Sequence, residues 1–329
     1  MSTLIFHFMQ KSAAAVSPAL FFRNLDIKSR TISKKAKLWS RSPHMNKTIF
    51  PLLFSLIIAL PVHAAEDAPT ASNLRANFKR VALELSSTSV SNAKDYQNSP
   101  NSKLSSDSES VVKGVFDFVL EYEQPNYQWN NSLFMEYGKT HLKPADGENS
   151  SNENADKILL TSDYSRKMWR YADADVGPFA SLAYQTEFTA NADAPRAKIL
   201  RGMGGLKLFN GPYIKELYAA LVEEYDMTYS KTNTKTGYEI GIKAEYPLRE
   251  GVKFQLESYF RNLLYFSSYQ GTDFKYEFNV TTRMDVKITD TFSLAPYLTY
   301  FQAQDRESNK YGSNLMIGVS LAYADLFNL

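Results

Sequence analysis

Phe274-Lys275-Tyr276-Glu277-Phe278-Asn279-Val280-Thr281-Thr282-Arg283-Met284-Asp285-Val286-Lys287-Ile288 alternates with a period of two along its whole length. Phe274, Tyr276, Phe278, Val280, Thr282, Met284, Val286 and Ile288 fall on one side; Lys275, Glu277, Asn279, Thr281, Arg283, Asp285 and Lys287 fall on the other. Successive side chains of a strand point to opposite faces, so the stretch reads as a β-strand with one apolar and one charged face. The preceding segment repeats the pattern, with Val252, Phe254, Leu256 and Phe260 against Lys253, Gln255, Glu257 and Arg261. So do Tyr238, Ile240, Ile242, Ala244 and Tyr246 against Glu239, Lys243 and Glu245. Near the end, Tyr311, Leu315, Ile317, Val319, Leu321 and Tyr323 oppose Gly312, Asn314, Gly318 and Ser320.

Working outward, the alternation predicts about twelve strands of roughly ten residues or more, the length that crosses a bilayer. They begin near Leu74, Val111, Asn126, Lys157, Val176, Lys198, Tyr213, Tyr238, Val252, Phe274, Thr291 and Lys310. Polar connections at 88–108, 139–156, 230–237, 267–272 and 303–309 mostly alternate with tight turns at 123–126, 210–212, 247–251 and 289–291. Long loops at one end and short turns at the other are the habit of membrane barrels; the segment 167–175 is the exception. Soluble sandwiches and lipocalin-like barrels also alternate, but turn the apolar face inward. Tyr122, Tyr127, Trp129, Trp169, Tyr171, Tyr225, Tyr229, Tyr265, Tyr269 and Tyr300 gather near strand ends, as interfacial aromatic girdles do. The expected fold is therefore all-β, a transmembrane antiparallel β-barrel.

The ends and the composition fit an exported chain. Met45-Asn46-Lys47, the apolar run from Ile49 to Pro61 and the small-residue site Val62-His63-Ala64 read as a secretory signal cleaved before Ala65. Residues 1–44 are read as an upstream extension or leader, 45–64 as the signal peptide and 65–329 as the barrel. Residues 1–64 hold nine Lys/Arg and one Asp, which leaves 28 bases and 34 acids in 65–329. An acidic mature chain argues against nucleic acid as a partner. The 21 Tyr suit surfaces that are apolar on one side and wet on the other. With no cysteine there is no disulfide framework, thiolate metal site or Cys nucleophile.

Gly318-Val319-Ser320-Leu321-Ala322-Tyr323 resembles the terminal-strand signal of Gram-negative outer-membrane proteins. That resemblance implies recognition by the barrel-insertion machinery and residence among outer-membrane lipid and lipopolysaccharide. The chain departs from the pattern by continuing through Ala324 to Leu329. As a pattern, residues 65–329 are also similar to the salt-induced outer-membrane protein group and to small porin-like channels.

The chemistry is read mainly by exclusion. After the signal only His141 remains, read within loop 139–156 beside Asp146 and Glu148; no His-x-Ser pair accompanies it, and a solvated residue is the simpler reading. Arg201-Gly202-Met203-Gly204-Gly205 lacks phosphate-loop spacing, and Asp146, Glu148, Glu153 and Asp156 lack EF-hand spacing. No enzyme, metal site or cofactor is expected. Charges of both signs share the inward faces: Asp117, Glu121, Glu136, Glu187, Glu239, Glu245 and Asp285 face Arg201, Lys207, Lys243 and Lys287. Lys253, Glu257, Arg261, Lys275, Glu277 and Arg283 are the expected lumen wall. Passive, porin-like transport of small polar solutes is the expected function; a non-conducting structural or surface-interaction barrel acting through its loops is the alternative.

Overall fold

The structure is a computed structural model that describes residues 73–96, 102–105, 110–142, 150–189, 195–268, 273–306 and 308–329. The predicted signal peptide and the 1–44 extension lie outside the described residues. The strands are β1 (Leu74–Ser91), β2 (Ser110–Glu123), β3 (Tyr127–Leu142), β4 (Ser150–Arg166), β5 (Trp169–Tyr171), β6 (Ala174–Thr186), β7 (Lys198–Phe209), β8 (Ile214–Asp226), β9 (Asn233–Arg249), β10 (Val252–Phe266), β11 (Phe274–Lys287), β12 (Phe292–Asp305) and β13 (Gly312–Asn328). Each pairs antiparallel with its neighbours, β1 pairs with both β2 and β13, and β4 pairs with β6. The sheet thus closes on itself as a twelve-stranded barrel once the three-residue β5, paired only with β6, is set aside. Closure removes the open edges that a lone sheet would expose.

Alternation and closure together decide which residues meet which solvent. Outward positions carry Leu83, Leu85, Leu206, Leu221 and Ile317, all exposed, with Leu221 at 75%. Inward positions carry buried Glu84, Glu136, Lys207, Glu224, Glu239, Arg261 and Arg283. A polar interior under an apolar exterior inverts the soluble pattern and matches a barrel whose outer solvent is lipid. Outward aromatic contacts form two bands. Phe78, Phe116, Phe118 and Phe327, then Tyr122, Tyr127 and Tyr164, then Tyr213 with Tyr246, ring the end with the short turns. Tyr137 with Phe188, Tyr238 with Phe260 and Tyr276, and Phe278 with Tyr300 ring the end with the long loops. Of the aromatic residues expected to form girdles, Tyr122, Tyr127 and Tyr300 stand in these bands, and Tyr269 lies outside the described residues.

Two stretches differ from the sequence expectation. Both ends of the loop expected at 139–156 are strand, because β3 and β4 pair as far as Leu142 opposite Ser150; residues 143–149 lie outside the described residues. The exceptional segment 167–175 contains β5 and a two-residue turn, Ala172 (φ 46°) and Asp173 (φ 63°), which extends the β4–β6 hairpin beyond the wall. Two successive residues at positive φ match the strand twist of a tight hairpin.

Candidate functional site

The lumen wall is identified by contacts that skip strands. Arg283 on β11 reaches Glu84 on β1 at 3.6 Å, past β12 and β13. Arg261 on β10 reaches Glu224 on β8 at 3.2 Å, past β9. Lys207 on β7 reaches Asp163 on β4 at 2.8 Å, past β6. Such chords run only on the concave side of a closed sheet.

Three ion-pair clusters line this interior, the third of them toward the turn end. In the first, Arg261 Nε donates to Glu239 Oε2 at 2.6 Å and its Nη1 to Glu277 Oε1 at 2.5 Å. Arg201 Nε donates to Glu224 Oε1 at 2.7 Å, and the Tyr218 hydroxyl donates to Glu239 Oε1 at 2.6 Å. The Tyr218 ring lies over Gly241, where an added Cβ would sit 2.4 Å from the ring, so a glycine is required under it. In the second cluster Glu84 meets Arg80 at 3.4 Å, Lys113 at 3.3 Å and Arg283 at 3.6 Å. Lys113 also meets Glu136 at 3.2 Å, and Arg283 Nε donates to Asp285 at 2.8 Å. In the third, Lys207 joins Asp163 and Glu216 with its ammonium over the Phe179 ring. Arg261 and Arg283 are each only 6% exposed, so water-sized space beside them is scarce. Buried charges persist only when paired; each of these has an ion-pair partner, although Arg283 Nη1 makes no hydrogen bond beyond its 3.6 Å approach to Glu84.

Toward the turn end the interior opens. The side chains of Lys243, Lys253 and Glu257 are 48%, 47% and 61% exposed although they sit on inward positions of β9 and β10. Lys253 stands 3.5 Å from Glu245, and Lys243 stands 3.8 Å from Glu257. This is a wet vestibule lined by both signs of charge.

The six wall residues expected from sequence therefore divide. Lys253 and Glu257 line the vestibule, Arg261 and Glu277 form one buried cluster, and Arg283 belongs to another. Lys275 stands at a β-bulge near the loop end, exposed, beside a cavity of about 420 Å³ shared with Gln304, Asp305 and Arg306. Sequence reasoning missed Glu84, Lys113, Asp163 and Glu224. On β8 both faces are largely apolar, with Ala220 and Val222 inward beside Glu224, so charge alone did not mark the lumen side. His141 is not in a loop but on β3 opposite Ser151. Asp156 serves the backbone, accepting from Phe188 N at 2.6 Å and Thr189 N at 3.0 Å. The Arg201–Gly205 run lies in β7, as expected. Gly205 faces inward where a Cβ would fall 2.0 Å from the Ala219 carbonyl oxygen.

The loop end is partly covered by the connection between β1 and β2. Asn92, at φ 61°, turns the chain off β1, and a 3-10 turn (Ala93–Tyr96) and a helical turn (Ser102–Ser105) follow. Tyr96 and Leu104 are buried against Phe301 and Ala303, inward residues of β12, with Phe274 beside them. The Tyr96 hydroxyl donates to the Lys310 carbonyl at 2.7 Å, and burial pushes its pKa above the ordinary tyrosine value. Asn314 Nδ2, inward on β13, donates to the Lys103 carbonyl at 2.7 Å.

Fold and lumen together define a class: a transmembrane β-barrel of twelve antiparallel strands with a charged interior. A family model described as "Protein of unknown function (DUF3078)" matches residues 102–191. No curated protein matches the chain. Among solved structures, the chain is similar to the COG4313 outer membrane channel from Pseudomonas putida F1, at 9% identity and TM-score 0.44, over 81% of this chain and 100% of that one. It is similar to the translocator domain of autotransporter NalP from Neisseria meningitidis, at 11% identity and TM-score 0.36, over 83% and 95% of the two chains. The outer membrane channel DcaP of Acinetobacter baumannii is 6% identical with TM-score 0.38, over 79% and 99%.

Proposed function

We propose that the chain is a Gram-negative outer-membrane channel that passes small polar solutes passively through its mixed-charge lumen. The observation that carries this reading is the wet vestibule, whose exposed Lys243, Lys253 and Glu257 lie on the inside of an apolar-coated barrel. Charged rings in a water-filled passage attract and orient polar solutes without chemistry. The signal peptide, the surrounding lipopolysaccharide and insertion by the barrel machinery belong to the same proposal. A second reading, a non-conducting structural or surface-interaction barrel, is favoured by the burial of Arg261 and Arg283 within their ion pairs.

Single-channel recording in a planar bilayer under a salt gradient separates the two. The channel reading expects discrete current steps, and a reversal potential that moves toward cations in Arg261→Glu or Arg283→Glu. A folded protein that never conducts supports the closed barrel, and a conducting one with unmoved reversal potential removes these arginines from the path.

A further inference from the structure

The first loop does more than cover the loop end. The turn Ser102–Ser105 approaches β13 and β1 on one side and β4 on the other, and those strands lie several places apart around the ring. It therefore runs along a chord inside the wall. Three features fix it there. Leu104 is 0% exposed, packed with Tyr96 on inward Phe301 and Ala303. Asn314 holds the Lys103 carbonyl, while the Lys103 ammonium lies 5.3 Å from the Phe301 ring centroid. Gly312 leaves room for the approach, since a Cβ there would fall 2.9 Å from the Tyr96 ring and 3.1 Å from Leu104.

We propose that the Ser102–Ser105 turn is a crossbar that forms the constriction at the loop end of the lumen, with Lys103 as its charge filter favouring small anions. The filter rests on the channel reading above; the crossbar as a physical obstruction does not. Lys103 acts electrostatically on both Glu136 and Lys157, and a cluster whose ammonium groups outnumber its carboxylate repels cations more strongly in a narrow passage than in open water. The helical turn is short and carries no ligand site of its own. It acts by position, set by the apolar anchor Leu104 one residue on.

The sequence contains no cysteine, so an engineered thiol is unique. Thr299 faces inward on β12, two residues below Phe301 toward the turn end, and Gln255 faces inward next to the vestibule. The test measures labelling of Thr299→Cys and Gln255→Cys by a bulky maleimide, with the barrel in detergent micelles. Leu104→Asp, or replacement of residues 97–108 by a short Gly-Ser linker, is expected to speed the Thr299→Cys reaction about tenfold, as release of a local obstruction should. The Gln255→Cys rate is expected to stay unchanged. Equal Thr299→Cys rates with and without the loop would overturn the crossbar. In bilayers, Lys103→Glu is expected to move the reversal potential toward cation preference; conduction with an unmoved potential would overturn the filter. Silence of every variant in the bilayer would instead reject the channel reading, while the labelling rates still decide the crossbar.

Discussion

Arg261 gathers one carboxylate from each of three strands, Glu224, Glu239 and Glu277, and is only 6% exposed. Removing the guanidinium leaves three acids facing one another with Arg201 as the nearest remaining partner. Arg261→Ala is therefore expected to cost about 3–5 kcal/mol, the usual penalty for orphaning buried charge. Arg261→Lys should recover part of that, because an ammonium restores charge without the planar fork. Urea unfolding followed by tryptophan fluorescence measures both; a cost below about 1 kcal/mol would mean that water already solvates the site. That Arg261 and Glu277 face inward was legible from alternation. Their pairing was not, because the register between β10 and β11 is set by the whole hairpin and not by either residue.

At the scale of elements, the strand starts at Leu74, Lys198, Val252 and Phe274 fall where alternation puts them. The errors cluster at the loop ends: β4 begins at Ser150 instead of near Lys157, and β9 at Asn233 instead of near Tyr238. Alternation appears only where the two faces of a strand meet different solvents. Past the lipid both faces meet water, the hydrophobic pattern disappears, and backbone pairing carries the strand on unmarked. The β5–β6 hairpin was hidden for another reason. Its turn uses Ala172 and Asp173 at positive φ, where Asn-Gly would have announced it. Replacing them with Asn-Gly should relieve left-handed strain and stabilise the barrel by about 1 kcal/mol. A rise in the urea midpoint with unchanged slope would show it, and no change would mean that the hairpin opens independently of the barrel.

For the whole molecule, the decisive property is the inversion of its polarity. Leu221 is 75% exposed near the middle of β8, and on a water-soluble protein Leu221→Arg would change stability by no more than about 0.5 kcal/mol. On a lipid-facing wall near the bilayer centre the same change should cost about 2–4 kcal/mol, measured by reversible unfolding from phospholipid vesicles. A neutral outcome would place that face in water. The alternation alone fits a soluble barrel equally well; what made the inversion legible was the length of the strands and the Tyr and Trp gathered near their ends.

The ring closes through β1 and β13, paired from Arg75 opposite Asn328 to Ser91 opposite Ser313, so its first strand bonds to its last. During synthesis the earliest strand must wait, one edge unsatisfied, until the latest has emerged. Assembly of this wall is thus a single late event. A nonsense codon that removes β13 would leave an open ribbon with two sticky edges, a substrate for proteolysis and aggregation, and not a slightly smaller barrel.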